Sequence, residues 1–288
     1  MDFLITLING ISLGGIYAMI ALGYTMVYGI AKMLNFAHGD IIMVGGYTVL
    51  VFLAINPILA IAASVIFCVL LGVLVEKVAY KPLRTASPLA VLITAIGVSY
   101  LLQSLAQIIF GSASKYVIIA ELGILTIGKL AISYATLITL ACSTIIMIML
   151  TMFVKYTKTG RAMVAVSEDK DAARLMGINI NFIITITFAI GSALAALAGV
   201  FSLMRVPSIT PTYGALPGIK AFTAAVIGGI GSIPGAMLGG ILLGVVECIC
   251  NSIPKLAPYT TAIEFSILII ILLVKPTGIL GKKRREKV

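Results

Sequence analysis

The chain has 288 residues, of which 61% are hydrophobic and 10% charged, with a net charge of +10 and a mean hydropathy of +1.18. An ordinary soluble domain is roughly 45–50% apolar and about 25% charged, so this composition excludes a water-soluble globule of this length and makes lipid the solvent for much of the surface. It also argues against a nucleic-acid surface: no stretch interleaves basic residues with aromatics, and Lys and Arg of membrane proteins gather in cytoplasmic loops.

A membrane-crossing helix needs about 20 apolar residues. In chain order, passes are expected near 4–29, 39–56, 57–78, 88–110, 131–154, 181–204, 234–251 and 258–275. The short, Gly-rich run 218–232 reads as a re-entrant or partial pass. The expected fold is therefore an all-α polytopic membrane protein, with about eight transmembrane helices and that partial pass in a single domain over 1–288. No Lys or Arg precedes Lys32, so the first apolar run lacks the basic start of a cleavable signal and is expected to be retained.

After the first pass comes Asn35-Phe36-Ala37-His38-Gly39-Asp40, a polar interruption holding the chain's one histidine. An ionisable group at membrane depth costs about 2.5–3.5 kcal/mol on insertion scales, so it faces a partner or water. In the fourth pass Gln103 and Gln107 share a helical face, to line a polar path or to bond a neighbouring helix. Cys68, Cys142, Cys248 and Cys250 lie in apolar runs without metal-ligand spacing and read as buried thiols.

The loop after the fifth pass, expected at about 156–180, contains the stretch from Thr159 to Asn179. Ser167 is a suitable N-cap there, Glu168 and Asp169 suit a first helical turn, and Gly177 suits a stop. The expected helix, Glu168 to Met176, presents Ala172, Leu175 and Met176 on one face and is too short to persist unaided. It must lie on the membrane or on a cytoplasmic partner.

Further on, small residues recur at helix-packing intervals. Gly191, Ala195 and Gly199 form one series, Gly231, Gly235 and Gly239 a second, and Ala236, Gly240 and Gly244 a third. The run Gly228 to Gly235 is a second Gly-containing interruption. Paired interruptions point to substrate paths in transporters, so Asn35, His38, Gly39, Gln103, Gly229 and Gly231 are the candidate path residues. Glu247 and Glu264 are further candidates for ionisable groups that face a partner or water, but on these boundaries both fall within a turn or two of the outer surface, so solvated ends are an equal reading.

Three loops are basic, holding Lys77, Lys81 and Arg84; Lys155, Lys158, Arg161, Lys170 and Arg174; and six residues from Lys275 onward. With Lys32 they put fifteen of the twenty basic residues on one side, leaving Lys115, Lys129, Arg205, Lys220 and Lys255 opposite. The positive-inside rule makes the larger set cytoplasmic, with the C-terminus inside and the N-terminus outside. No phosphate-binding loop, His-Glu-x-x-His or nucleophile elbow occurs, so an enzyme is not expected, and any ATP must be hydrolysed by another subunit. A proton- or sodium-coupled carrier, or a channel for a small polar solute, is the alternative. It would be expected to hold acidic groups deep in the membrane, and few are expected here.

The segment Tyr17 to Ile30, followed by Asn35 to Asp40, resembles the opening of branched-chain amino acid ABC transporter permeases, the shorter of their two permease subunits. Ser167 to Asn179 resembles that family's ATPase-coupling loop, Lys220 to Gly244 its Gly-rich late segment, and Pro276-Thr277-Gly278 with Gly281 its end. The resemblance implies an inner-membrane importer subunit without a cofactor of its own. Its partners would be a second related permease, two ATPase subunits that bind ATP, and an extracytoplasmic binding protein. The implied substrates are leucine, isoleucine and valine, although close relatives carry urea, amides or other amino acids. Glu168, Ala172, Ala173, Leu175, Met176 and Gly177 would meet the ATPase. In more distant sugar permeases the segment matching Asn35 to Asp40 breaks a helix near mid-membrane, which implies a place in the path for Asn35 and His38.

Overall fold

The computed structural model describes residues 2–120, 123–127 and 130–281. Within them lie helices α1 (Asp2–Ala31), α2 (His38–Phe52), α3 (Pro57–Val75), α4 (Pro88–Phe110), α5 (Tyr134–Tyr156), α6 (Lys158–Glu168), α7 (Lys170–Leu175), α8 (Ile180–Arg205), α9 (Ala215–Gly228), α10 (Ile233–Ser252) and α11 (Thr260–Val274). A π turn and a 3-10 turn extend α3 to Leu83, and a 3-10 turn at Ala257–Tyr259 leads into α11. Seven of these stretches are long and apolar enough to cross a membrane; α2 and α9 are apolar but short.

Local chemistry sets the starts. The side chains of Asn56, Ser87, Ser133, Asn179 and Ser232 each accept a backbone N–H in the first turn of α3, α4, α5, α8 and α10. Pro follows immediately at Pro57 and Pro88, where a missing N–H costs nothing.

The core is built on α1 and α8, against which α2, α3, α9 and α10 pack. Two-thirds of the most apolar stretch of α8 is buried against 11% for the last span, so α8 is central and α11 peripheral. Small residues set the closest approaches. A Cβ on Gly240 would lie 2.4 Å from Ala18 N, and one on Gly244 2.2 Å from Gly14 N, where α10 crosses α1. Gly239 approaches the Ala224 carbonyl of α9 at 2.0 Å by the same measure. Gly231 stands in the turn before α10 at φ +94, with nothing within 4 Å of where a Cβ would sit, and is not part of the Gly235–Gly239 face.

One end of the bundle gathers Arg84, which meets Asn181 and Glu76, and Lys170, whose Nζ donates to the Ala31 carbonyl at 3.2 Å. There burial and the Arg84 charge pull the Lys170 ammonium below its ordinary value. The other end gathers Arg205, beside Asn9 and Ser12, and Lys115, paired to Ile209 in a short antiparallel ladder. The basic loops thus converge on one end and Lys115 and Arg205 on the other.

The structure corrects several expectations. Residues 130–133 pair with 124–127 as a β-hairpin, so α5 begins at Tyr134 rather than 131. The pass expected over 39–56 stops at Phe52. The loop helix divides: Ser167 lies inside α6 and bonds back to the Val164 carbonyl, while Asp169 caps the six-residue α7. Its carboxylate accepts the N–H groups of Asp171 and Ala172, each at 3.0 Å, and the charge strengthens the cap. Gly177 closes α7 at φ +80. Lys220 is buried inside α9 rather than exposed at the outer end. Lys129 and residues 282–288, which hold most of the basic tail, lie outside the described residues.

Candidate functional site

α1 ends at Ala31, Lys32 adopts φ +61, and the chain turns inward through Met33 to Ala37 before α2 begins. On the other side of α1, residues 210–214 turn inward and α9 begins at Ala215. The two short helices start from the same place and run in opposite directions. A Cβ on Gly218 would lie 2.9 Å from Gly39 Cα, and one on Gly214 1.8 Å from the Gly39 carbonyl oxygen. Only glycine permits this approach. Its level is central, since α2 reaches Gln103 beyond the midpoint of α4, and Gly191, near the midpoint of α8, lies against Gly23 and His38.

His38 is buried, with its ring edge-on to Tyr24 at 4.7 Å between centroids. Asn35 is buried and its Oδ1 accepts the Tyr80 hydroxyl at 2.8 Å. Asp40 is 1% exposed; its Oδ1 accepts from Gln103 Nε2 at 2.8 Å, and the same amide reaches Ser99 Oγ at 3.2 Å. A cavity of about 270 Å³ opens here, lined by Tyr24, Phe36, Asp40, Ser99, Gln103 and Ile219 among others. A larger one, about 440 Å³, lies at the Arg205 end with Asn9, Thr136 and Asn251.

A second polar group is buried behind α9. Lys220 Nζ lies 2.9 Å from Glu247 Oε1 of α10 and 3.2 Å from Glu264 Oε2 of α11, and the Tyr17 hydroxyl of α1 donates to Glu247 Oε2 at 2.7 Å. Four helices meet on one ammonium and two carboxylates. Glu264 is 1% exposed, so of the two readings for these acids the partnered one holds: Lys220 supplies the countercharge that makes burial tolerable. Among the described residues Asp40, Glu76 and Glu264 are buried and Glu247 is partly buried. The scarcity of such groups is therefore no argument against an ion-coupled carrier. Among the described residues no group of three or more His, Cys, Asp or Glu is placed to hold a metal ion.

Residues 6–273 match the family model of the branched-chain amino acid transport system, permease component. The chain is 43% identical to the high-affinity branched-chain amino acid transport system permease protein BraD of Pseudomonas aeruginosa, over 99% of this chain and 98% of BraD. It is 40% identical to the corresponding LivH protein of Escherichia coli K12, with the same coverage. The chain belongs to this permease family. Among solved structures, PsaBC from Streptococcus pneumoniae in complex with Fab aligns at 14% identity and a TM-score of 0.49, over 96% of this chain and 93% of that one.

In this permease the residues singled out from sequence fall in three places. Asn35, His38, Gly39 and Gln103 surround the start of α2; Gly39 and Gln103 line the cavity directly, while Asn35 and His38 stand behind it. Gln107, by contrast, is exposed on α4. Gly229 and Gly231 are not at the cavity. Gly229, at φ +108, packs against Gly281 and Thr277, whose segment caps α9 through Ile279 N to the Ile227 carbonyl and Leu280 N to the Gly228 carbonyl. The interruption that packs against Gly39 is 210–214, through Gly214, whereas the Gly228–Gly235 run comes near Asn35 only at a small cleft that Ile230 shares with it. The third place is α7: Leu175 and Met176 are 90% and 82% exposed, Ala172 and Glu168 are exposed, and Ala173 is buried against the permease itself. Sequence reading passed over Lys220 because its burial depends on Glu247 and Glu264, which are distant in the chain.

Proposed function

We propose that this permease is the membrane subunit of an ATP-binding cassette importer and forms part of the path for aliphatic amino acids: leucine, isoleucine and valine. The observation that carries the reading is the likeness to BraD along essentially the whole of both chains. Two broken helices starting beside one central cavity support it, since interrupted helices make the solute site in many carriers. The importer would comprise a second, related permease, two ATPase subunits and an extracytoplasmic binding protein. ATP is bound and hydrolysed by the ATPase pair, and this chain binds no cofactor. The end bearing Lys81, Arg161 and Lys170 faces the cytoplasm, the N-terminus lies outside and the C-terminus inside.

Force enters through α7. A six-residue helix with two large apolar side chains in water is unstable alone, and Ala172, Leu175 and Met176 supply a knob for a groove on the ATPase. Ala173 anchors the helix to the permease, and Lys170 ties it to the last carbonyl of α1, four residues before Asn35. Movement of α7 therefore reaches the break ahead of α2 directly. The test is co-purification of the complex followed by ATPase assay with loaded binding protein. Stimulated hydrolysis that requires this chain supports the reading; failure of any ATPase subunit to co-purify refutes it.

A further inference from the structure

We infer that the cavity at the start of α2 and α9 is a transit site for a zwitterionic α-amino acid, with Asp40 receiving its ammonium group. The inference rests on the amino-acid permease reading above and goes beyond it by naming the recognising group. Asp40 is almost wholly buried, lines the cavity, and has one carboxylate oxygen held by Gln103. Among the described residues no Lys, Arg or His nitrogen lies within ion-pairing distance of it. A buried carboxylate without a countercharge is costly, and the buried carboxylates of Glu76 and Glu264 and the partly buried one of Glu247 each have a basic partner. The exception is the one that opens on a cavity.

The rest of the lining completes the match. α2 and α9 both present their N-terminal ends here, and the partial positive charge at a helix start favours an anion such as the solute's carboxylate. Phe36, Ile96 and Ile219 give an apolar seat for an aliphatic side chain. Gln103 fixes the Asp40 carboxylate without neutralising it, and the same amide is held in turn by Ser99 Oγ. Cavities for drug-sized ligands run from about 300 Å³ upward, so about 270 Å³ suits a single small solute.

The test uses the intact importer in membranes. Tyr100→Cys is introduced at the cavity lining in a background whose four native cysteines are replaced by alanine, with leucine uptake checked first. Labelling by a thiol reagent is followed with leucine, leucinamide (no carboxylate) or 4-methylpentanoate (no ammonium). Leucine and leucinamide are expected to slow labelling at least about tenfold and 4-methylpentanoate to leave it unchanged, since a charge-assisted pair is worth roughly that factor or more. With Asp40→Asn, the leucine concentration giving half-protection should rise about tenfold or more, and Asp40→Glu should recover part of the loss. Equal protection by 4-methylpentanoate and leucine overturns the inference, and this comparison needs no change at Asp40. So does unchanged protection in Asp40→Asn. Absence of any protection in a complex that takes up leucine overturns the inference alone. A complex with native Tyr100 that moves no amino acid overturns the permease reading beneath it.

Discussion

Lys220→Met tests whether the buried ion cluster anchors α9. The substitution keeps the length of the side chain and removes its charge, leaving Glu247 and Glu264 facing one another with only the Tyr17 hydroxyl as donor. Breaking a buried ion pair from one side costs about 3–5 kcal/mol, mostly the penalty of the charge left behind. Here two carboxylates are left, and relief comes only if one takes up a proton. Lys220 is also five residues into α9, so the loss displaces the start of that helix, where Gly214 and Gly218 touch Gly39. The assay is thermal stability of the detergent-solubilised protein, read as the monodisperse fraction after heating. Lys220→Met should unfold several degrees lower, and adding Glu247→Gln and Glu264→Gln should restore most of the difference. If Lys220→Met is as stable as the parent, or the triple variant is no better than the single, the cluster does not anchor the helix.

Other consequences follow from the packing. Gly240→Leu or Gly244→Leu should prevent assembly, because backbone atoms of α1 lie within 2.4 Å of where the new Cβ would sit, whereas Gly97→Leu on α4, with nothing within 4 Å, should express normally; membrane yield compares them. Tyr80→Phe should cost about 1 kcal/mol by stranding the buried Asn35 oxygen, a modest loss readable in the same heating assay. Leu175→Asp should leave the permease in the membrane but weaken recovery of the ATPase about tenfold or more, because a carboxylate would enter an apolar contact; undiminished recovery would make α7 a membrane-surface element.

Much of this architecture was legible from hydropathy. Apolar length alone puts pass four at 88–110, and α4 runs Pro88–Phe110, with Ser87 capping its start and Gly111 ending it. The errors share a cause. Span-counting assumes each helix crosses alone, so the second pass runs four residues past the end of α2 and the partial pass is displaced three or four residues along α9, although each is a short helix completed by an inward turn. Ser167 and Asp169 are both capping residues, and tertiary contacts that carry α6 through Ser167 decided between them. The meeting of Gly39 with Gly214 and Gly218, and of Lys220 with two acids, joins residues about 175, 27 and 44 positions apart, beyond the reach of local pattern. Asp40 was noticed as a neighbour of His38, but its significance depends on the cavity beside it.

The central claim is tested most directly by uptake of radiolabelled leucine in cells lacking their own branched-chain amino acid transport and supplied with this permease, the second permease, the ATPases and the binding protein. The account predicts concentrative uptake that disappears when this chain is omitted, competes with isoleucine and valine, and survives collapse of the proton gradient while ATP is maintained. Uptake that is independent of this chain, or that vanishes with the gradient while ATP remains, would contradict it.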